Sequence, residues 1–298
     1  MTKPDLYILI FSFNRGEFLR NCVHSITVCI PDAHIIIWDD NSTDPMTQDV
    51  LAELGTSAAI HQPALGENGD RSKHGGLYQN LQSALEALPD DALICAIQDD
   101  MQIVRPVSAL EIAQWRHLFR EGRHRGFMQP AFLKARSADI HYVAEKHGYR
   151  IDRQHRSAGA WYSDVFMINT RLLREHHWQF QTREARNEQQ AREYFEQMIY
   201  LKNPFVAWLP GAPAWRGKRR TLAMRWAEQS RQCGFYPMQM LSPVQTTAFC
   251  ARVPEQLPLA EDFLTLKHDT LAKPWFYYPL QDKRGLKLLN KLELLLRR

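Results

Sequence analysis

The chain has 298 residues, 45% hydrophobic and 23% charged, with a formal net charge of +4. That composition supports a sizeable core and excludes disorder, and no apolar run is long enough to span a membrane. The charge is lopsided: residues 1–100 hold 5 Lys/Arg against 15 Asp/Glu, a net of −10 that leaves +14 for the rest. A stretch suited to a cation therefore precedes one suited to phosphates or an anionic surface, unless the two simply neutralise each other.

The first hundred residues alternate strand and helix. Tyr7-Ile8-Leu9-Ile10-Phe11 is β-rich and lacks a helical period. Asp5 precedes this run, Asn14-Arg15 follows it, and no small-residue cleavage site is present, so it reads as a strand and not a secretory signal. Phe18, Leu19, Cys22, Val23 and Ile26 recur at helical spacing and predict a helix over 15–30. A second strand over 34–38 closes on Asp39-Asp40-Asn41-Ser42, a short helix over 47–54 stops at Gly55, and 58–61 reads as a third strand. Residues 66–76 are rich in glycine and charge, a loop. Leu77, Leu81, Ala84, Leu85 and Leu88 predict a helix ending before Pro89, and the strand 93–97 runs into Gln98-Asp99-Asp100.

Beyond residue 105 the pattern loosens. A helix is expected over 109–119, a strand at 126–130, an aromatic β-rich run at 161–168, a helix through Leu172-Leu173, a polar helix over 185–200 and a last strand at 206–209. From Trp215 the chain is basic and largely helical or irregular. The expected division is one domain over 1–214, with halves at 1–105 and 106–214, and a basic extension over 215–298. Cys22, Cys29, Cys95, Cys233 and Cys250 are scattered, odd in number and without a C-x-x-C pair. They read as reduced thiols in a cytoplasmic protein. The basic residues do not interleave with aromatics in a nucleic-acid motif, so no nucleic-acid partner is expected.

Strand–helix repetition of this kind implies an α/β fold, a mostly parallel sheet flanked by helices. Such sheets take ligands at the carboxyl ends of their strands. Ser12-Phe13-Asn14-Arg15, Asp39-Asp40-Asn41-Ser42 and Asp99-Asp100 all lie at such ends. Two adjacent carboxylates leaving a buried strand repel each other and lose hydration. A divalent metal, Mn²⁺ or Mg²⁺, relieves that cost, and such ions bridge to diphosphates. A solvated turn with two acids is the plainer alternative.

Three segments carry a family resemblance: Leu9-Ile10-Phe11-Ser12-Phe13-Asn14-Arg15, Ile36-Ile37-Trp38-Asp39-Asp40-Asn41-Ser42-Thr43-Asp44, and Ala96-Ile97-Gln98-Asp99-Asp100. In this order they resemble the Ser/Thr-aromatic-Asn-Arg turn, the Asp-Asp-x-Ser-x-Asp motif and the D-x-D variant of the inverting, nucleotide-sugar-dependent glycosyltransferases of GT-A (Rossmann-like) fold, family 2. The resemblance covers roughly residues 5–210. It implies that Asp40 accepts from the nucleotide base, with Asp39 supporting the loop or sharing that task. It places Phe11, Phe13 and Arg15 by the nucleotide, Arg71 (or Lys73) in a basic loop near it, Asp99 on the ribose and Asp100 on the metal. Gln98 departs from the first D-x-D position, so ligation rests on Asp100 alone.

Inverting transfer also needs a carboxylate to take the acceptor's proton. The resemblance points to Glu188 in Arg186-Asn187-Glu188-Gln189, with Glu184 and Asp164 as rivals; an exposed acid paired with Arg192 is the structural alternative. Trp161 and Asp164, in the Ala158–Asp164 segment, are implied on the acceptor side, where Trp161 either stacks on a sugar or fills the core. Trp215-Arg216-Gly217-Lys218-Arg219-Arg220 is either a loop closing over the diphosphate or a solvated charge run. Residues 285–298 form an amphipathic basic helix, which fits an anionic bilayer at the inner face of the membrane, the enzyme itself, or a second copy. The expected partners are a nucleotide-sugar, UDP in first place because a carboxylate suits uracil's imide proton, and a glycan or lipid-linked acceptor. A nucleotidyltransferase and a degenerate binding or scaffold subunit are the other readings.

Overall fold

The computed structural model describes residues 6–63, 76–134, 139–151, 159–214, 220–268 and 271–296. Its first hundred residues supply β1 (Leu6–Ser12), α1 (Gly16–Cys29), β2 (His34–Asp39), α2 (Pro45–Leu54), β3 (Ala59–His61), α3 (Leu77–Ala87) and β4 (Leu93–Gln98). β1 and β4 are almost wholly apolar and buried, as strands covered on both faces must be. α1 turns Phe18, Leu19, Cys22, Val23 and Ile26 inward. Asp44 starts α2 by accepting from Thr47 N at 2.9 Å, with Pro45 in the first turn.

These strands pair in parallel in the order β3-β2-β1-β4. Ser12 lies opposite Asp39 and Phe11 opposite Gln98, so β1, β2 and β4 end level. The chain leaves β3 at one edge and returns on the other side of β1. The strand order therefore reverses between β1 and β4, where open sheets form a ligand crevice.

The second half adds β5 (Met101–Ile103), α4 (Ala109–Arg120), β6 (Met128–Gln129), β7 (Ile140–Val143), β8 (Gly148–Ile151), β9 (Phe166–Asn169), α5 (Thr170–Glu175), α6 (Glu184–Tyr194), β10 (Ile199–Leu201) and β11 (Val206–Trp208). The sheet continues from β4 as β9-β6-β10-β8-β7; here β6 and β10 are parallel and the other neighbours antiparallel. β5 and β11 form a separate antiparallel pair with Met101 opposite Trp208, and Leu209 N donates to Asp100 O at 2.9 Å.

Two expected elements change. The polar helix over 185–200 ends at Tyr194, and Ile199-Tyr200-Leu201 is a strand. Phe195, Met198 and Ile199 are all buried, and the Phe195 ring lies 5.4 Å from Phe127 and 5.3 Å from Trp178, so this stretch dives into the core and cannot stay on one helix face. The aromatic run becomes a strand only from Phe166, because Trp161 and Tyr162 belong to a turn.

The extension holds α7 (Leu222–Ser230), α8 (Pro243–Ala251), α9 (Ala260–Phe263) and α10 (Arg284–Leu296). Met238, Leu241, Phe249, Leu264 and Trp275 share one core cluster with Phe18, Val104 and Phe132. All five cysteines are free thiols. Among the described residues no helix is long and apolar enough to cross a membrane.

Candidate active site

Three turns meet at the level ends of β1, β2 and β4. Asn14 takes a left-handed φ of 50°, which Asn tolerates better than most residues. Its Oδ1 accepts from Thr43 N at 2.7 Å and Asp44 N at 2.9 Å, while its own N–H donates to Ser42 Oγ at 2.8 Å. Gly16 follows because a Cβ there would stand 2.8 Å from Met46 O and Thr47 Cα. Ser12 joins the remaining turns: its carbonyl accepts Asp40 N–H at 2.9 Å and its hydroxyl donates to Asp99 Oδ2 at 3.1 Å.

The acids in these turns divide by environment. Asp39 is fully buried and accepts from the Ser42 N–H and hydroxyl and from Gln62 Nε2 at 2.9 Å. It supports the loop and has no surface for a ligand. Asp40 is half-buried, and its Oδ2 accepts Gly76 N–H at 2.9 Å. Asp99 is buried; beside Ser12, its Oδ2 accepts Phe13 N–H at 3.1 Å. Arg15 Nη1 reaches Asp100 Oδ2 at 2.7 Å and Asp99 Oδ1 at 3.4 Å, and Nη2 donates to Pro213 O at 2.8 Å. Burial pushes the Asp99 carboxyl up to about 6 and Asp100 adds to this, while Arg15 and the bonds from Phe13 and Ser12 oppose.

A second cluster gathers around Asp164. Tyr78 Oη donates to Asp164 Oδ2 at 3.1 Å, and Asp164 N donates to Glu184 Oε1 at 3.4 Å. Asp164 Oδ1 is buried on the side of the Tyr162 hydroxyl. Burial, then Glu184, pushes the Asp164 carboxyl up to about 7 against the pull of Tyr78 and Tyr162. Burial also raises Glu184. Lys134 feels an acid of each cluster. Its side chain reaches solvent, its ammonium stands 3.5 Å above the Trp208 ring and 5.0 Å from that of Tyr277, and it feels both Asp100 and Glu184. Crowding by protein lowers it to about 8 despite those two acids. Nothing in its local sequence marks it, because its neighbours come from distant segments.

Glu188 does not have the geometry of a base. It is 2% exposed; its Oε2 accepts from the backbone N–H groups of Gly159 (3.2 Å), Trp161 (3.0 Å) and Tyr162 (2.8 Å), and its Oε1 pairs with Arg192 at 3.1 Å. With both oxygens engaged and no route to solvent, it anchors the Gly159–Tyr162 turn and leaves Asp164 and Glu184 as the candidate bases. The same arrangement lays Arg192 4.3 Å from the Trp161 ring, covering part of that half-buried indole. Phe11 is buried in the main core, whereas Phe13 is half-buried. Arg71, Lys73 and the basic run 215–219 lie outside the described residues. Arg220, at the edge of that run, donates to Glu228 Oε2 at 2.8 Å.

Among the described residues no group of three His, Cys, Asp or Glu is arranged to hold a metal. Asp100 Oδ1, however, is buried without a hydrogen-bond partner while Oδ2 is held by Arg15. That orphaned oxygen fits a single protein ligand to Mn²⁺ or Mg²⁺, a hard ion that takes its remaining oxygens from ligand and water.

No protein-family model and no curated protein matches the chain. In shape it is similar to Staphylococcus aureus TarS residues 1–349 in complex with UDP (12% identity, TM-score 0.44, 68% of this chain and 60% of that one). It is also similar to the mannosyltransferase PcManGT from Pyrobaculum calidifontis in complex with GDP-Man and Mn²⁺ (12% identity, TM-score 0.46, 76% of this chain and 61% of that one). An active-site mutant of LgtC gives 12% identity and a TM-score of 0.36 over 65% of this chain and 72% of that one. The chain spans 36% of the longer TarS structure. At these identities and scores the likeness assigns a role to no residue.

Proposed function

We propose that the chain is a glycosyltransferase that moves a sugar from a nucleoside-diphosphate donor to a hydroxyl of a glycan or lipid-linked acceptor, with inversion. One observation carries this reading: Arg15 spans Asp99 and Asp100 where the strand order reverses, and Lys134 feels both Asp100 and Glu184, the acid bonded to the Asp164 backbone. That arrangement supports a proton acceptor and a charge-neutralising site acting on one bound donor. Asp40 accepts from the base, Asp99 contacts the ribose through Oδ1, and Arg15 and Lys134 face the diphosphate. Asp164 takes the proton from the acceptor hydroxyl as its oxygen attacks the anomeric carbon; the bond from that carbon to the diphosphate breaks, and the nucleoside diphosphate leaves with the electron pair. A divalent ion bound at Asp100 would supply further positive charge at the departing diphosphate.

A thermal-shift panel of UDP-, GDP-, dTDP- and CMP-sugars, with and without Mn²⁺, tests this. A UDP-sugar is expected to raise the melting temperature, and donor hydrolysis is expected to disappear in Asp100→Ala. A chain that none of the donors stabilises is not a glycosyltransferase. Gln98, in place of the first acid of the motif, favours one alternative, a binding subunit without catalysis. Donor binding with no hydrolysis and no transfer would select it.

A further inference from the structure

The last helix is mounted the wrong way round for a helix that belongs only to this fold. α10 packs on α7, and an amphipathic helix ordinarily turns its apolar face to such a neighbour. Here the inward side is largely polar. Asn290 Oδ1 accepts from Thr221 Oγ1 at 2.6 Å, and Glu293 accepts from the first amides of α7, Leu222 N at 2.7 Å and Ala223 N at 3.0 Å. A carboxylate on the free N–H groups of a helix start is a strong, oriented contact, so it fixes which side of α10 faces in.

The opposite side is apolar and open. Leu288, Leu292 and Leu295 fall at i, i+4 and i+7 and are 62%, 49% and 53% exposed, with exposed Leu289 and Leu296 beside them. On α7, Leu222 and Trp226 are one turn apart and also exposed. Lys283, Arg284, Lys287 and Lys291 are exposed around this face, while Glu293 is spent on α7. Among the described residues, the leucine face of α10 is thus flanked by four exposed basic residues, with one exposed acid, Asp282, just before the helix. A second copy would bring like charges together, whereas anionic headgroups complement them.

We propose that α10 seats the protein on an anionic bilayer, leucines at the acyl boundary and lysines among the headgroups. This stands apart from the glycosyltransferase reading, and its test needs no substrate. The full chain is sedimented with vesicles of phosphatidylcholine containing about one-third phosphatidylglycerol, and with phosphatidylcholine alone. Binding to the anionic vesicles is expected to be about tenfold or more above the neutral ones and to fall in high salt. The double variant Leu292→Glu/Leu295→Glu keeps Asn290 and Glu293, so it is expected to retain the wild-type circular dichroism and melting curve while losing about tenfold or more in partitioning. The proposal is overturned if the wild type stays in the supernatant with both vesicles, or if the double variant pellets as well as the wild type. A lipid-free dimer in sedimentation velocity that the double variant dissociates would assign the face to a second copy and overturn it too.

Discussion

Asp164 and Glu184 stand side by side, joined by the Asp164 N–H donating to Glu184 Oε1 at 3.4 Å. Glu184 makes ionisation of Asp164 harder, and burial adds the larger part, which pushes the Asp164 carboxyl up to about 7. Asp164→Asn is expected to lower transfer about 10²- to 10⁴-fold with donor binding retained, measured by turnover and calorimetry on the same preparation. A carboxyl raised above its unfolded value favours the fold at low pH and costs stability as pH rises through about 7. Asp164→Asn is therefore also expected to be more stable than the wild type above that pH, by about 1 kcal/mol in urea titrations, with the difference closing in acid.

Lys134 sets the opposite limit on pH. Its ammonium, lowered to about 8 by crowding, loses its charge as pH rises through that value, while Asp164 must lose its proton to act as base. Transfer is expected to follow a bell with limbs near 7 and 8, and the alkaline limb to appear in kcat/KM for the donor. Lys134→Met is expected to remove that limb and raise donor KM about tenfold, with uridine affinity unchanged. An unaltered alkaline limb in the variant would assign it to another group.

Glu188 predicts a folding phenotype. Glu188→Ala strands three buried amides and Arg192, at a cost of about 3 kcal/mol. Glu188→Gln keeps an acceptor for the amides and is expected to cost about 1 kcal/mol, with turnover of the folded fraction within about threefold of wild type. Chemical denaturation beside single-turnover rates checks both. A Gln variant that is fully folded and inactive would restore Glu188 as the base.

Asn14 couples a backbone shape to two capping bonds. Asn14→Ala loses both and places alanine at positive φ, for about 2 kcal/mol; Asn14→Gly keeps the shape and loses only the bonds, so it is expected to fall between wild type and alanine. Donor affinity should weaken in the same order.

The strand–turn–helix plan of the first hundred residues was legible because its signals are local. Apolar runs end in polar turns, and the strands β1, β2 and β4 need only pair in order to bring Ser12, Asp39 and Asp99 together. The site beyond that half was not. An acid at position 188 reads the same whether it faces water or three backbone amides, and the amides come from residues 159–162. Lys134 acquires meaning only beside Trp208, Asp100 and Glu184, none of them near it in sequence. The strands β5, β7 and β8, at three or four residues each, are too short to show an alternating pattern.

The small β5–β11 ribbon reaches further than its size suggests. It fastens the peptide of Asp100 to Leu209 and pairs Met101 with Trp208, the ring on which Lys134 rests. The ribbon thus touches both the backbone of an acid and the ring beneath a cation. A ribbon that holds their spacing would sort an anion and its counter-ion by size as well as by sign. A chemist shortening or lengthening the diphosphate bridge of an analogue by one atom should see affinity drop in both directions.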